Sequence, residues 1–183
     1  RIHMLGWRDL DDDEAGGSEV HASTVAALWA QAGLEITMRS SASVGRSAVG
    51  FRDGYRVVRR GSRYGGFPRA AAAEITGRHG PCDALVEIWN GMPFASPLWW
   101  RGPHAVWLHH VHGPMWNMAL GDTLGRVGRL LEERLAPPLY RRVPVVTLSQ
   151  SSEAELIDEL GFDRARVGVV EPGIDARYSP GGS

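Results

Sequence analysis

Four short, nearly uninterrupted apolar runs, residues 83–88, 105–108, 143–148 and 167–170, constrain this chain most. A strand that is apolar on both faces must be covered on both, and that is the situation of a parallel sheet packed between helices. Segments of helical period alternate with such runs, so the chain is expected to form an α/β fold with a doubly wound, mainly parallel sheet. Residues 1–7, 34–38 and 55–58 read as further strands, and residues 40–50, small and polar, as a loop. The first helix is expected over 17–32, with Val20, Val25, Leu28, Trp29 and Ala32 at helical spacing and Gly33 at its end. Other helices are expected over 68–78, over 124–135 and over 150–160, the last capped by Ser149 or Ser151. The second of these carries Leu124, Val127, Leu131 and Leu135 on one stripe and stops before Pro137-Pro138.

Composition narrows the function classes. At 183 residues and 43% hydrophobic, the chain buries the core of one domain, with room for a short appendage. A formal charge of −1 supplies no bulk attraction to nucleic acid or anionic lipid, although all 20 basic residues are arginine. No nucleic-acid partner is therefore expected, and membrane-surface contact is not indicated. One cysteine, Cys82, excludes an internal disulfide and a cysteine-based zinc site and fits a cytoplasmic location. No apolar run approaches the roughly 18 to 20 residues of a membrane span, and the first residues lack a signal-peptide pattern.

Two places carry chemistry. In V-W-L-H-H-V-H-G-P-M-W, residues 106–116, an apolar strand ends abruptly in His109, with His110 and His112 in the outgoing loop. Ligands of open α/β sheets bind at the carboxyl ends of the strands, which makes His109 a site candidate. A zinc site from the three histidines is disfavoured, because neighbours along a strand alternate faces and no fourth ligand is evident. The second place is Gly16-Gly17 at the start of the first helix, where free backbone N–H groups and the helix dipole favour an anion. A dinucleotide-dependent oxidoreductase would also open on strand, glycine loop and helix. Here, however, the loop reads E-A-G-G-S-E without G-x-G-x-x-G, and no acidic residue follows the second strand. No carboxylate pair stands out as the acid/base couple of a glycoside hydrolase. A non-catalytic carbohydrate-binding or regulatory module remains the main alternative to an enzyme.

Five segments in order, G-G-S-E-V-H at 16–21, D-A-L-V-E-I-W-N-G-M-P-F at 83–94, V-W-L-H-H-V-H at 106–112, T-L-S-Q-S-S at 147–152 and V-V-E-P-G-I-D at 169–175, resemble the amino-terminal domain of retaining glycosyltransferases of family 4. The resemblance covers nearly the whole chain. It implies a Rossmann-like acceptor domain over residues 1–172, the start of an interdomain linker over 173–183, and a donor-binding domain of the GT-B architecture outside this chain. It further implies a nucleotide-sugar as co-substrate, an unspecified acceptor, no cofactor and no metal ion. By the same resemblance, Gly16 and Gly17 face the donor diphosphate and sugar, His109 contacts the transferred sugar, and Asn90 and Ser149 lie on the acceptor side. The family's donor-domain Arg/Lys pair and Glu-x7-Glu motif do not occur here, so the chain alone is expected to be inactive.

The same residues have plainer readings. Gly16-Gly17 can form a tight turn, Asn90 can cap the turn before Gly91, and His109 can be a core histidine. The acidic run 11–14 reads as a solvated loop, and Trp99-Trp100 beside Pro97 as core or as a sugar-facing surface.

Overall fold

The computed structural model describes residues 1–113 and 115–173. Eight strands form one sheet in the order β3-β4-β2-β1-β5-β6-β7-β8. These are β1 (Ile2–Leu5), β2 (Ile36–Ser40), β3 (Val49–Arg52), β4 (Tyr55–Arg59), β5 (Ala84–Trp89), β6 (His104–Leu108), β7 (Val145–Thr147) and β8 (Val167–Val169). Every neighbouring pair is parallel except β3 with β4. The four apolar runs became β5 to β8, the half of the sheet on one side of β1. The expected linker beyond residue 173 lies outside the described residues.

The exception explains itself locally. Val49–Arg52 returns onto β4 through Asp53-Gly54, both with positive φ (45° and 87°), the geometry of a two-residue hairpin turn. The expected loop over 40–50 thus ends in an edge strand, and the D-G pair was its sequence signal.

Chain direction places the helices. From β1 the chain moves outward through α1 (Gly17–Gln31) to β2, then crosses back through α2 (Gly66–Ile75) to β5 on the other side of β1. Right-handed crossovers made in opposite directions put their helices on opposite faces. Accordingly Ala22 and Ala26 of α1 pack with Met4, Met38, Val57, Val86 and Ile88, whereas Phe67 and Ala70 of α2 pack with Leu5 and Leu85. Further along, Tyr140 of α5 (Pro137–Tyr140) and Leu156 of α6 (Gln150–Asp158) cover Trp89, Val106, Leu108 and Val145. The sheet is doubly wound, as expected.

Two helices depart from the expected stripes. On α1 the buried positions are Glu19, Ala22, Ser23 and Ala26, while Val20 and Leu28 are exposed. Small residues let this helix sit close to the sheet, where Ser23 Oγ lies 2.6 Å from the Tyr55 hydroxyl. The helix expected over 124–135 is the later part of a longer element, α4 (Met115–Leu130) continued by a π-helical turn, Leu131–Leu135. Gly121, at φ 75° and ψ 175°, breaks α4 in a conformation open only to glycine. The stripe of Leu124, Val127, Leu131 and Leu135 is exposed instead of packed on the core.

Candidate functional site

β1 and β5 are adjacent, and the chain leaves them towards opposite sides, which makes their carboxyl ends the topological switch point where α/β sheets open a crevice. Gly16 and Gly17 follow β1, and Asn90 follows β5. A hydrogen bond spans the switch point: Asn90 Nδ2 donates to Ser18 Oγ at 2.8 Å and lies 3.4 Å from Glu19 Oε1. The amide of Asn90 therefore pins the glycine turn, while residues 90 and 92 form a bridge around Gly91.

The turn is held from within as well. Glu19 reaches back to accept from the Gly16 N–H at 2.8 Å and from Ser18 Oγ at 3.0 Å, so one helix-end donor is satisfied by the protein itself. A Cβ on Gly17 would meet no atom within 4 Å, and one on Gly16 only the Glu19 carboxylate at 3.6 Å. Packing inside this domain does not require glycine at these two exposed positions. Bare backbone there leaves room for an approach from outside.

His109 follows β6 on the same edge. The residue is 9% exposed, and its Nε2 lies 3.0 Å from Nδ1 of His21, one helical turn beyond the glycine turn on α1. One of the two rings donates to the other. The second nitrogen of His109, Nδ1, is buried and has no partner among the described residues. Burial, with help from the neighbouring His21 and His110 rings, lowers the His109 pKa to about 4, and burial lowers that of His21 too. Both rings are neutral at pH 7, and His109 keeps one hydrogen-bonding atom unused among the described residues.

The remaining candidates divide. Ser149 caps α6, accepting from Ser152 N at 3.2 Å and lying within 3.0 Å of the Ser151 and Ser152 hydroxyls. Its link to His109 is indirect, through Ser152 Oγ and the His109 carbonyl at 3.4 Å. His110 is exposed. His112 serves the fold: its backbone N–H and Nδ1 both meet Glu132, at 3.0 and 3.2 Å, and this fully buried carboxylate also accepts from Trp116 Nε1 at 2.8 Å.

Three residues of the edge were missed as site residues. Glu19 and His21 lie inside the G-G-S-E-V-H segment, but nothing in a sequence pairs residue 21 with residue 109. Arg39, near the end of β2, is 1% exposed, and its Nε and Nη2 have no partner among the described residues. Burial, together with the Arg69 charge, lowers its pKa to about 10. Of the acidic run 11–14, Asp11 and Asp12 are half-buried and Asp13 and Glu14 are exposed, and a buried ion-pair cluster lies just before it. Asp9 is fully buried against Arg59 and Arg52, the latter at 2.8 Å, and Asp11 lies 2.7 Å from Arg52. Burial raises the Asp9 pKa, but the two arginines outweigh it and hold the carboxyl below its usual range. Trp99 and Trp100 stand beside Cys82 and Asp83 at the opposite edge of the sheet, and their indole N–H groups donate to Phe94 O and Pro103 O. They do not line this site.

The model of glycosyltransferase family 4 matches residues 15–178. This chain belongs to that family. Among solved structures, the family member is similar to a sucrose-phosphate synthase from Thermosynechococcus elongatus, with a TM-score of 0.68 and 14% identity over 96% of this chain and 49% of the other. It is also similar to a glycosyltransferase from Rickettsia africae, with a TM-score of 0.62 and 15% identity over 97% of this chain and 44% of the other. At such identity the likeness concerns the fold, and the glycosyltransferase domain spans about half the length of those two structures. No match was found among curated proteins. Among the described residues, no helix of this family member is long and apolar enough to cross a membrane.

Proposed function

We propose that this family 4 glycosyltransferase domain is the acceptor-binding half of a cytoplasmic retaining enzyme that moves a hexosyl group from a nucleotide-sugar to an acceptor hydroxyl. In the transfer, the bond between the anomeric carbon and the diphosphate breaks, a bond to the acceptor oxygen forms, and the hydroxyl proton passes to the departing diphosphate oxygen. The protein's task is to stabilise charge on the departing diphosphate while an oxocarbenium-like sugar is held against the nucleophile. Gly16 and Gly17 offer bare backbone at a helix amino terminus for that charge. Neutral His109 presents Nδ1 to a sugar hydroxyl, a positioning role rather than proton abstraction. Asn90 shapes the acceptor side, Ser149 supports the adjoining wall through α6, and Arg39 adds positive potential to the same edge. Donor contacts come from a second domain, and neither a cofactor nor a metal ion is assigned a part.

The observation that carries this reading is the unpartnered, buried Nδ1 of His109 beside a glycine turn whose glycines no packing demands. An oxidoreductase reading lacks its phosphate fingerprint, and a purely structural histidine would be expected to have both nitrogens satisfied. The test is transfer from a panel of nucleotide-sugars by this chain and by a two-domain form. Only the two-domain form is expected to turn over, with retention at the anomeric carbon. Inversion, or robust transfer by residues 1–183 alone, would overturn the assignment.

A further inference from the structure

The uncovered stripe of α4 forms one wall of a cavity of about 270 Å³ whose other walls are Trp7, Tyr64, Met92 and Trp116. This wall is built rather than incidental. The Trp116 ring fits between residues 91 and 128 only because both are glycine: a Cβ would come within 3.0 Å of the ring at 91 and within 2.5 Å at 128. Both indole N–H groups in the walls are committed elsewhere, Trp7 to the Arg63 carbonyl at 2.8 Å and Trp116 to Glu132 at 2.8 Å. An occupant therefore finds apolar surface and ring faces, with no free indole donor. Leu124 and Val127 are 60% and 51% exposed, so they have most to gain from being covered.

Position says which molecule does so. The cavity begins at Gly91, one residue beyond Asn90, and includes Trp7, two residues beyond β1, so it adjoins the switch-point crevice. We propose that it holds the apolar part of the acceptor, an alkyl chain or aromatic aglycone whose hydroxyl reaches past Asn90 towards the transferred sugar. This rests on the reading of the Asn90 side as the acceptor side. At about 30 Å³ per water-sized group, the space takes roughly nine such groups, which suits a medium-length chain or a fused aromatic ring.

Calorimetric titration of the 183-residue chain with a series of 1-alkanols from butanol to octanol tests the proposal, with methyl glucoside as the polar control. Saturable binding is expected, tightening about fourfold per methylene as each buries ~0.8 kcal/mol of apolar surface, with no binding of the control. Val127→Glu, at a half-exposed position, is expected to weaken octanol at least tenfold without lowering the melting temperature. Absence of chain-length dependence, or indifference to Val127→Glu, overturns the proposal. So does sedimentation showing a dimer of this chain that Val127→Glu dissociates, because the cavity is then the seat of a second copy. Alkanol binding needs no sugar transfer, so failure here leaves the transferase reading intact, and failure of transfer with every nucleotide-sugar leaves the binding result to stand.

Discussion

The two edges of the sheet each hold a pair of histidines, and the pairs are opposites. At the amino edge, His3 and His79 each place Nδ1 2.7 Å from one oxygen of Glu74, and Cys82 completes a cluster whose ligand atoms from His3, Glu74 and Cys82 lie within 4.8 Å of one another. Burial lowers the His3 pKa, but hydrogen bonds to Cys82 and Glu74 and the Glu74 charge prevail and hold it at about 9. Burial likewise raises Glu74, and the two imidazoles bring it to about 2. At the carboxyl edge, the His109 and His21 rings hydrogen-bond to each other and, among the described residues, to no carboxylate, and desolvation leaves both neutral. Burial of the same side chain thus gives a cation at His3, which a carboxylate faces, and a neutral ring at His109, which faces other imidazoles. A charge-satisfied cluster stabilises the fold, whereas an unsatisfied one is available to a ligand.

The sharpest way to break this comparison is His109→Ala in a two-domain form. Losing one transition-state hydrogen bond is expected to reduce turnover by roughly 10²- to 10³-fold, about 2.7 to 4 kcal/mol, with little change in melting temperature. His110→Ala is expected to leave both unchanged, and His112→Ala to lower stability modestly, because it removes the imidazole partner of buried Glu132 while the backbone N–H of residue 112 and Trp116 Nε1 still donate to it. Turnover and thermal melting measured on the three variants decide the matter. A melting loss that accounts for all of the His109→Ala defect would return this ring to the core.

At the other edge the expected loss is in stability. Glu74→Gln removes the charge that both histidines face, and breaking a buried pair costs about 3 kcal/mol, measured by urea unfolding. Turnover per folded molecule is expected to hold. An activity loss without a stability loss would show that the amino edge reaches the site.

Gly17→Ala separates fold from ligand in a single methyl group. With nothing within 4 Å of the new Cβ, stability is expected to rise by about 0.4 to 1 kcal/mol. Transfer is expected to fall about tenfold, as one hydrogen bond to a charged group is weakened. Unchanged transfer would remove the diphosphate from this turn.

The smallest effects are those of pH, followed by NMR titration of the imidazoles. His3, whose folded pKa lies above its ordinary 6.5, contributes stability fully below 6.5 and loses it as pH rises through about 9. His109, depressed to about 4, contributes above 6.5 and loses its contribution as pH falls through about 4. Glu74 adds to the acid limb as pH falls from 4.5 towards 2. If the His3 and His109 titrations coincide, the contrast between the edges fails.

The apolar runs by themselves determined β5 to β8, half of the sheet, because a strand covered on both faces leaves its signature in every residue of the run. They also determined the edge on which His109 and Asn90 stand, since each follows closely on such a run, whereas the glycine turn comes to that edge only after the polar loop beyond β1. Only the tertiary structure decided what covers what. Periodicity records that a helix has an apolar stripe, yet on α1 the buried stripe is the small-residue one and on α4 the apolar stripe is left open, because the covering surface belongs to distant segments. The pairing of His21 with His109 across 88 positions, and of Glu74 with His3 across 71, has the same origin. Whether a buried imidazole is charged depends on the nearest carboxylate in space, and that neighbour is set by the way the strands are ordered.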